Sequence, residues 1–112
     1  MITQRGRFTP RERDVAGLML ALGMKPRHLS MALCRDRRTL ATYVSKGRFE
    51  PAPGVQPLDL DRRHREWTED EEVLLSELVS FGHGVGRVAE ILGRPERVTM
   101  AQATKLGIGG AA

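Results

Sequence analysis

Cationic and hydroxyl side chains cluster around one short predicted turn in the first half of this 112-residue chain. Arg35, Arg37 and Arg38 lie at the beginning of a predicted helix. Further polar groups follow at helical spacing: Thr42, Ser45, Lys46 and Arg48. Guanidinium and ammonium groups bind phosphate oxygens, and the planar guanidinium also pairs with guanine edges. This set predicts a surface that binds a polyanion.

The chain lacks the residue patterns of enzymes and of metal sites. It contains one Cys and three scattered His residues, which give no zinc-ligand spacing, and it has no glycine-rich phosphate loop or nucleophile with a base. The longest mostly apolar stretch, 15–24, is about half as long as a bilayer span. We therefore expect a non-enzymatic protein without metal or other cofactor, located in the cytoplasm with the nucleoid and not in a membrane.

The two halves of the chain differ in charge. Residues 1–56 contain eleven Lys or Arg and four Asp or Glu, whereas residues 57–112 contain seven and ten, so that net charges of +7 and −3 add to +4. Lys and Arg displace condensed counterions from nucleic acid. The N-terminal half is therefore the predicted nucleic-acid-binding half.

The sequence also contains an internal repeat, in which 8–46 aligns with 67–105 at a constant offset and without a gap. Seven pairs are identical: Thr9/Thr68, Glu12/Glu71, Gly23/Gly82, Leu33/Leu92, Arg35/Arg94, Arg38/Arg97 and Lys46/Lys105. Ala, Leu and Met dominate the apolar residues, which favours helix over sheet. We predict an all-α fold with two three-helix units in tandem.

Capping signals predict where the helices of each unit begin and end. Thr9 with Glu12, and Thr68 with Glu71, have the spacing of capping boxes before a first helix. A glycine at 23 and 82 is expected to end that helix in a left-handed conformation. Second helices are predicted at 26–33 and about 85–92, and third helices at about 36–46 and 95–105. The tight turn between the second and third helices is typical of helix-turn-helix units, which read DNA with the later helix.

Five segments follow from this parsing. They are a basic arm at 1–7, unit 1 at 8–47, a Pro-rich and basic linker at 48–66, unit 2 at 67–108 and a tail at 109–112. An extended linker would let the two units occupy successive grooves of DNA. A linker that folds back would let the units pack together, which the thin core of each copy favours.

Two short basic runs are candidate DNA contacts outside the helices. Arg5 and Arg7 precede the first helix, and Arg62 and Arg63 precede unit 2. Arginine enters the narrow minor groove of A/T-rich DNA. The alternative is that both runs are ordinary solvated segments.

Unit 2 carries motifs with a family resemblance. It has W-T-E-D-E-E-V-L-L near its start, A-E-I-L-G-R in its middle and A-T-K-L-G-I at its end. Over 67–108 it resembles Myb/SANT-like helix-turn-helix segments of bacteria and phages, including the N-terminal part of GcrA-type cell-cycle regulators. The resemblance implies DNA binding through the third helix, sometimes with contact to RNA polymerase through its sigma factor. The matching DNA-facing positions are Arg94, Arg97, Thr104 and Lys105.

Unit 2 departs from that pattern in three respects. Met100 stands where a basic residue is common, Thr99 stands where an apolar residue is usual, and the first helix is acidic. The alternative for unit 2 is therefore a module that contacts protein, as SANT-type units often do.

Together these features predict a transcription regulator of bacterial or phage-derived origin, such as an activator of prophage or gene-transfer-agent genes. It would bind double-stranded DNA through the third helix of unit 1, with unit 2 assisting. One alternative is an adaptor that contacts RNA polymerase, a sigma factor or a second regulator. Another is the DNA-recognition subunit of a phage packaging or recombination complex. The target sequence and the oligomeric state stay open.

Overall fold

A computed structural model describes residues 7–108, and this part of the chain is all-α. It contains six helices and no strand within that range. The helices are α1 (Pro10–Ala21), α2 (Pro26–Leu33), α3 (Arg37–Ser45), α4 (Glu69–Ser80), α5 (Val85–Leu92) and α6 (Glu96–Leu106). The predicted all-α class is therefore confirmed.

The chain divides into two compact units, Met1–Leu58 and Asp59–Ala112, each with three helices. Adding the offset of the sequence repeat to the first and last residues of α1 and α2 gives the first and last residues of α4 and α5. The first residues of α3 and α6 are separated by the same offset. The sequence repeat is thus a repeat of secondary structure.

Local capping chemistry sets the helix starts. Thr9 accepts a hydrogen bond from the Glu12 backbone N–H, and the Thr9 backbone N–H donates to the Glu12 carboxylate, so the predicted capping box is present. Thr68 caps α4 in the same way through the Glu71 N–H. The second hydrogen bond of the capping box, from the N-cap backbone N–H to the glutamate side chain, differs in unit 2. The Glu71 carboxylate instead accepts hydrogen bonds from two arginines.

Apolar side chains from all three helices form the core of each unit. Fully buried side chains in unit 1 include Met19, Leu22, Leu29 and Leu40, and those in unit 2 include Leu74, Leu75, Leu78, Ile91 and Leu92. Burying a side chain of this size contributes about 1.5–3 kcal/mol. The cores hold α3 and α6 by one face and leave the opposite face to solvent.

The segment 48–66, predicted as a linker, does not stand apart from the units. Phe49 is buried in unit 1, where its ring lies 5.2 Å from Phe8 and 5.6 Å from Tyr43. The Ala52 backbone N–H donates to the Gly17 carbonyl, and the Leu58 N–H donates to the Leu22 carbonyl. Residues 49–58 therefore form a strap along α1, and the linker prediction is corrected here because one buried aromatic residue anchors a Pro-rich sequence.

The remaining part of the predicted linker belongs to unit 2. The buried Arg65 guanidinium donates to the Leu92 carbonyl and to the Glu71 carboxylate, both at 2.7 Å. Arg65 thus fixes residues 59–66 on the turn between α5 and α6.

The strap passes close to α1 at Gly17. A β-carbon at this position would lie 2.3 Å from the Glu50 carbonyl oxygen. We expect Gly17→Ala to destabilise unit 1 by about 1–3 kcal/mol, although alanine by itself favours helix. Thermal unfolding followed by circular dichroism measures the change. A more stable variant would show that the strap does not lie on α1 in solution.

The turn before each third helix requires a left-handed residue. Cys34 has φ 54° and Gly93, its equivalent in unit 2, has φ 67°. A β-carbon in this conformation costs about 1–2 kcal/mol. We expect Gly93→Ala to lower the free energy of unfolding of unit 2 by about that amount, and Gly93→Asn to lower it less, since Asn tolerates this region. Urea unfolding followed by the fluorescence of Trp67 measures both, and equal losses for Ala and Asn would contradict the explanation.

Among residues 7–108, no helix has both the length and the apolar character needed to cross a membrane. The same range contains no group of three His, Cys, Asp or Glu side chains arranged to hold a metal ion.

Candidate nucleic-acid interface

The solvent face of α3 carries five of the seven side chains predicted to form the polyanion-binding surface of the first half of the chain. Asp36 caps the helix by accepting from the Thr39 N–H at 3.1 Å, and Leu40 is fully buried. This anchoring turns the other side of α3 outward. The exposed residues there are Arg37, Arg38, Ala41, Thr42, Ser45 and Lys46. The structure therefore brings five of the predicted contact residues onto one exposed helical face.

Two local contacts position polar side chains at the C-terminal end of this face. The Ser45 hydroxyl donates to the Thr42 carbonyl at 3.1 Å, which holds the Ser45 side chain close to the helix backbone. Arg48 is exposed, and its guanidinium lies 5.8 Å from the centre of the Tyr43 ring. Tyr43 therefore helps to position a cation just beyond the end of α3.

Arg35 was predicted as a DNA contact, and this prediction is corrected by its burial. The guanidinium pairs with the Glu12 carboxylate at 3.1 Å and donates to the Leu33 carbonyl at 2.8 Å. It also lies over the Phe8 ring, 4.8 Å from the centroid. Arg35 thus ties the turn before α3 to α1 and is not presented to DNA.

Arg94 is corrected for the same reason. Its side chain is 1% exposed, and its Nε and one terminal nitrogen each lie 2.8 Å from a Glu71 carboxylate oxygen. The guanidinium stacks on Trp67 at 3.8 Å from the ring centre. Because Arg65 also pairs with Glu71, one fully buried carboxylate holds two guanidinium groups.

These contacts explain several identities of the repeat. In both units an aromatic side chain before the first helix covers an arginine, and that arginine pairs with the third-position glutamate of the helix. Spacing alone suggested a capping box for the glutamates and a nucleic-acid contact for the arginines. Their shared role is to lock the first helix onto the turn before the third helix.

The corresponding face in unit 2 is less cationic. Exposed residues on α6 include Arg97, Met100, Thr104 and Lys105. Three positions that are basic in unit 1 are acidic in unit 2, namely Arg11/Asp70, Arg13/Glu72 and Arg37/Glu96. Glu72 accepts a hydrogen bond from Gln102, which places acidic α4 beside α6. The surface formed by α4 and α6 is therefore more acidic than the equivalent surface formed by α1 and α3.

The predicted basic arms have different outcomes. Arg7 is exposed ahead of α1, whereas Arg5 lies outside the described residues. Arg62 and Arg63 are exposed on the segment that Arg65 anchors to unit 2. These two side chains are thus presented on an anchored loop.

Sequence reasoning missed a second cationic cluster, at the beginning of α2. Lys25 and Arg27 are exposed there, and His28 accepts a hydrogen bond from the Lys25 N–H at its Nδ1 atom, at 2.9 Å. Burial, and then the charge of Arg27, lower the pKa of His28 from its ordinary value. A signal was present in the sequence, because no Asp or Glu occurs between Asp14 and Asp36.

Comparison of the chain with protein-family models, with curated proteins and with solved structures gave no match. The Myb/SANT-like character of unit 2 therefore stays a resemblance carried by its own motifs.

Proposed function

We propose that this protein is a DNA-binding regulator in which α2 and α3 act as a helix-turn-helix and α3 enters the major groove. The observation that carries the proposal is the exposed face of α3. Arg37, Arg38 and Lys46 supply charge there, and Thr42 and Ser45 supply hydroxyl groups. Arginine pairs with guanine edges and hydroxyl groups bind bases or phosphates.

The rest of unit 1 supports this assignment. The ion pair of Arg35 with Glu12 fixes the turn before α3. Arg48 places a further cation just beyond the C-terminal end of α3. A rigid support of this kind positions a reading helix more accurately than a loop does. Residues 1–56, which include unit 1, also carry a net charge of +7, which favours association with a polyanion.

The direct test is a titration of the purified protein against labelled genomic fragments at about 50 and 200 mM salt, with sequencing of the bound fraction. A steep salt dependence with an enriched sequence is the expected result. A steep dependence without enrichment would indicate backbone binding alone. An absence of binding at both concentrations would contradict the proposal.

A second candidate function is favoured by one surface of unit 2. Val73 is 48% exposed on α4 and lies one turn from both Glu69 and Glu77. An apolar centre with a polar rim is the usual arrangement of a protein-contact surface, and the acidic residues of α4 would match a partner with basic groups. Under this alternative, unit 2 is an adaptor that contacts RNA polymerase, a sigma factor or another regulator, and unit 1 locates the complex on DNA.

One experiment distinguishes the two candidate functions of unit 2. We expect Glu69→Lys with Val73→Lys to abolish activation of a reporter gene if α4 recruits a partner, while the affinity for DNA does not fall. If unit 2 only assists DNA binding, the added positive charge strengthens binding and activation is retained.

A further inference from the structure

The segment 59–66, called the basic loop below, presents three consecutive basic side chains at the surface of unit 2. Arg62, Arg63 and His64 are all exposed. Within the described part of the chain, neither arginine side chain forms an ion pair with a carboxylate. The positive charge of these two guanidinium groups is therefore not neutralised from within unit 2 and is available to an external anion.

Hydrogen bonds to the backbone fix the shape of the basic loop. The Arg62 N–H donates to the Asp59 carbonyl at 3.1 Å, and the Arg62 carbonyl accepts a hydrogen bond from the Arg65 guanidinium at 3.1 Å. The Asp59 carboxylate accepts the Asp61 N–H at 3.3 Å. A loop whose backbone is already ordered loses less conformational entropy when its side chains bind a partner.

Arg65 also holds the basic loop against the rest of unit 2. Its guanidinium donates to the Leu92 carbonyl and to the Glu71 carboxylate, and the Arg65 carbonyl accepts from Arg94 at 2.8 Å. A buried ionic network is weak evidence for stability, because the desolvation of the charges offsets their attraction. The consequence that these contacts do have is a fixed position for the basic loop beside the turn that precedes α6.

The neighbouring helical surfaces of unit 2 are acidic where those of unit 1 are basic. The helix α6 begins at Glu96, whereas α3 begins at Arg37. The hydrogen bond from Gln102 to Glu72 places acidic α4 beside α6. Because carboxylates repel phosphate groups, α6 is less suited than α3 to enter a groove of DNA. The basic loop is better suited to meet a polyanion than α6 is.

We propose that unit 2 binds the phosphodiester backbone of double-stranded DNA through the basic loop, and that α6 does not read bases. The Arg62 and Arg63 guanidinium groups donate to phosphate oxygens and displace condensed counterions. His64 supplies a further ring N–H donor. This inference rests on the proposed function, and it states how unit 2 assists unit 1.

Salt titrations of DNA binding by the full chain test the basic loop. We expect Arg62→Ala with Arg63→Ala to reduce the slope of log K against log salt concentration by about 2, which corresponds to two phosphate contacts. The loss of affinity should be equal on the selected sequence and on a random duplex, because backbone contacts carry no sequence information. An unchanged slope would overturn the inference and leave the proposed function standing. A larger loss on the selected sequence would show that the loop reads bases, and would overturn its assignment to the backbone.

The matched control lies on α6 of the same unit. Arg97→Ala with Lys105→Ala removes the same charge from exposed positions. We expect this variant to reduce the slope by less than about 1. An equal or larger reduction than in the loop variant would overturn the assignment of the contacts to the basic loop. If the wild-type protein does not bind DNA at any salt concentration, the proposed function fails, and this inference fails with it.

Discussion

Glu71→Ala is expected to unfold unit 2 almost completely under conditions in which the wild-type protein is folded. The Glu71 side chain has no exposed surface, and it is the carboxylate partner of Arg65 and Arg94, whose side chains are 6% and 1% exposed. Removing one partner of a buried ion pair costs about 3–5 kcal/mol, because the remaining charges are left without compensation. A single core in a domain of fewer than about 70–80 residues rarely supplies more than about 3–5 kcal/mol, so a loss of this size leaves unit 2 with almost no net stability.

Trp67 makes this prediction specific to unit 2. It is the only tryptophan in the chain, and its ring stacks on Arg94 at 3.8 Å. Urea unfolding followed by tryptophan fluorescence therefore reports on the surroundings of Arg94, one of the two arginines that lose their carboxylate partner. An unchanged unfolding midpoint for Glu71→Ala would contradict the burial of this network.

The internal repeat supplies a control for the same substitution. Glu12 is the equivalent of Glu71, but its side chain is 14% exposed, and within residues 7–108 it pairs with Arg35. We expect Glu12→Ala to cost about 2–3 kcal/mol, because the capping box accounts for about 1 kcal/mol and the buried Arg35 guanidinium keeps its hydrogen bond to the Leu33 carbonyl. Circular dichroism measures this loss in unit 1, which has no tryptophan. A larger loss for Glu12→Ala than for Glu71→Ala would contradict the explanation by burial.

Arg37→Ala with Arg38→Ala is expected to weaken DNA binding at least about 30-fold. Both side chains are exposed at the first turn of α3. A guanidinium that reaches a base contributes about 1–3 kcal/mol, and a tenfold change in affinity corresponds to about 1.4 kcal/mol. Because the contacts read bases, the loss should be larger on the selected sequence than on a random duplex.

The matched control lies on the sister helix. Arg97→Ala with Lys105→Ala removes the same charge from exposed positions of α6 in unit 2. We expect a loss of less than tenfold, since acidic α4 lies beside this helix. Fluorescence anisotropy with both duplexes measures the two variants. An unchanged affinity for the α3 variant would remove α3 as the reading helix, and equal losses for both variants would assign reading to both units.

The helices and their ends could be predicted from local sequence patterns. Thr9, Thr68, Gly23 and Gly82 act on backbone groups close to themselves in the chain, so their effect is visible in a short window. The constant offset of the repeat then applied the same assignment to both units. The exposed face of α3 also followed from local periodicity, because Leu40 marks its buried side.

Which charged residues are exposed for binding depends on contacts between distant parts of the chain. Arg35 and Arg94 resemble surface cations in the sequence, as arginines usually are, but each meets a glutamate from the first turn of its unit's first helix and is buried there. The strap over Gly17 has a composition typical of linkers, so the sequence gives no sign of its contact with α1. No local pattern encodes the distance between side chains that are far apart in the chain. Burial depends on what folds over a residue, whereas capping and periodicity depend on its neighbours in sequence.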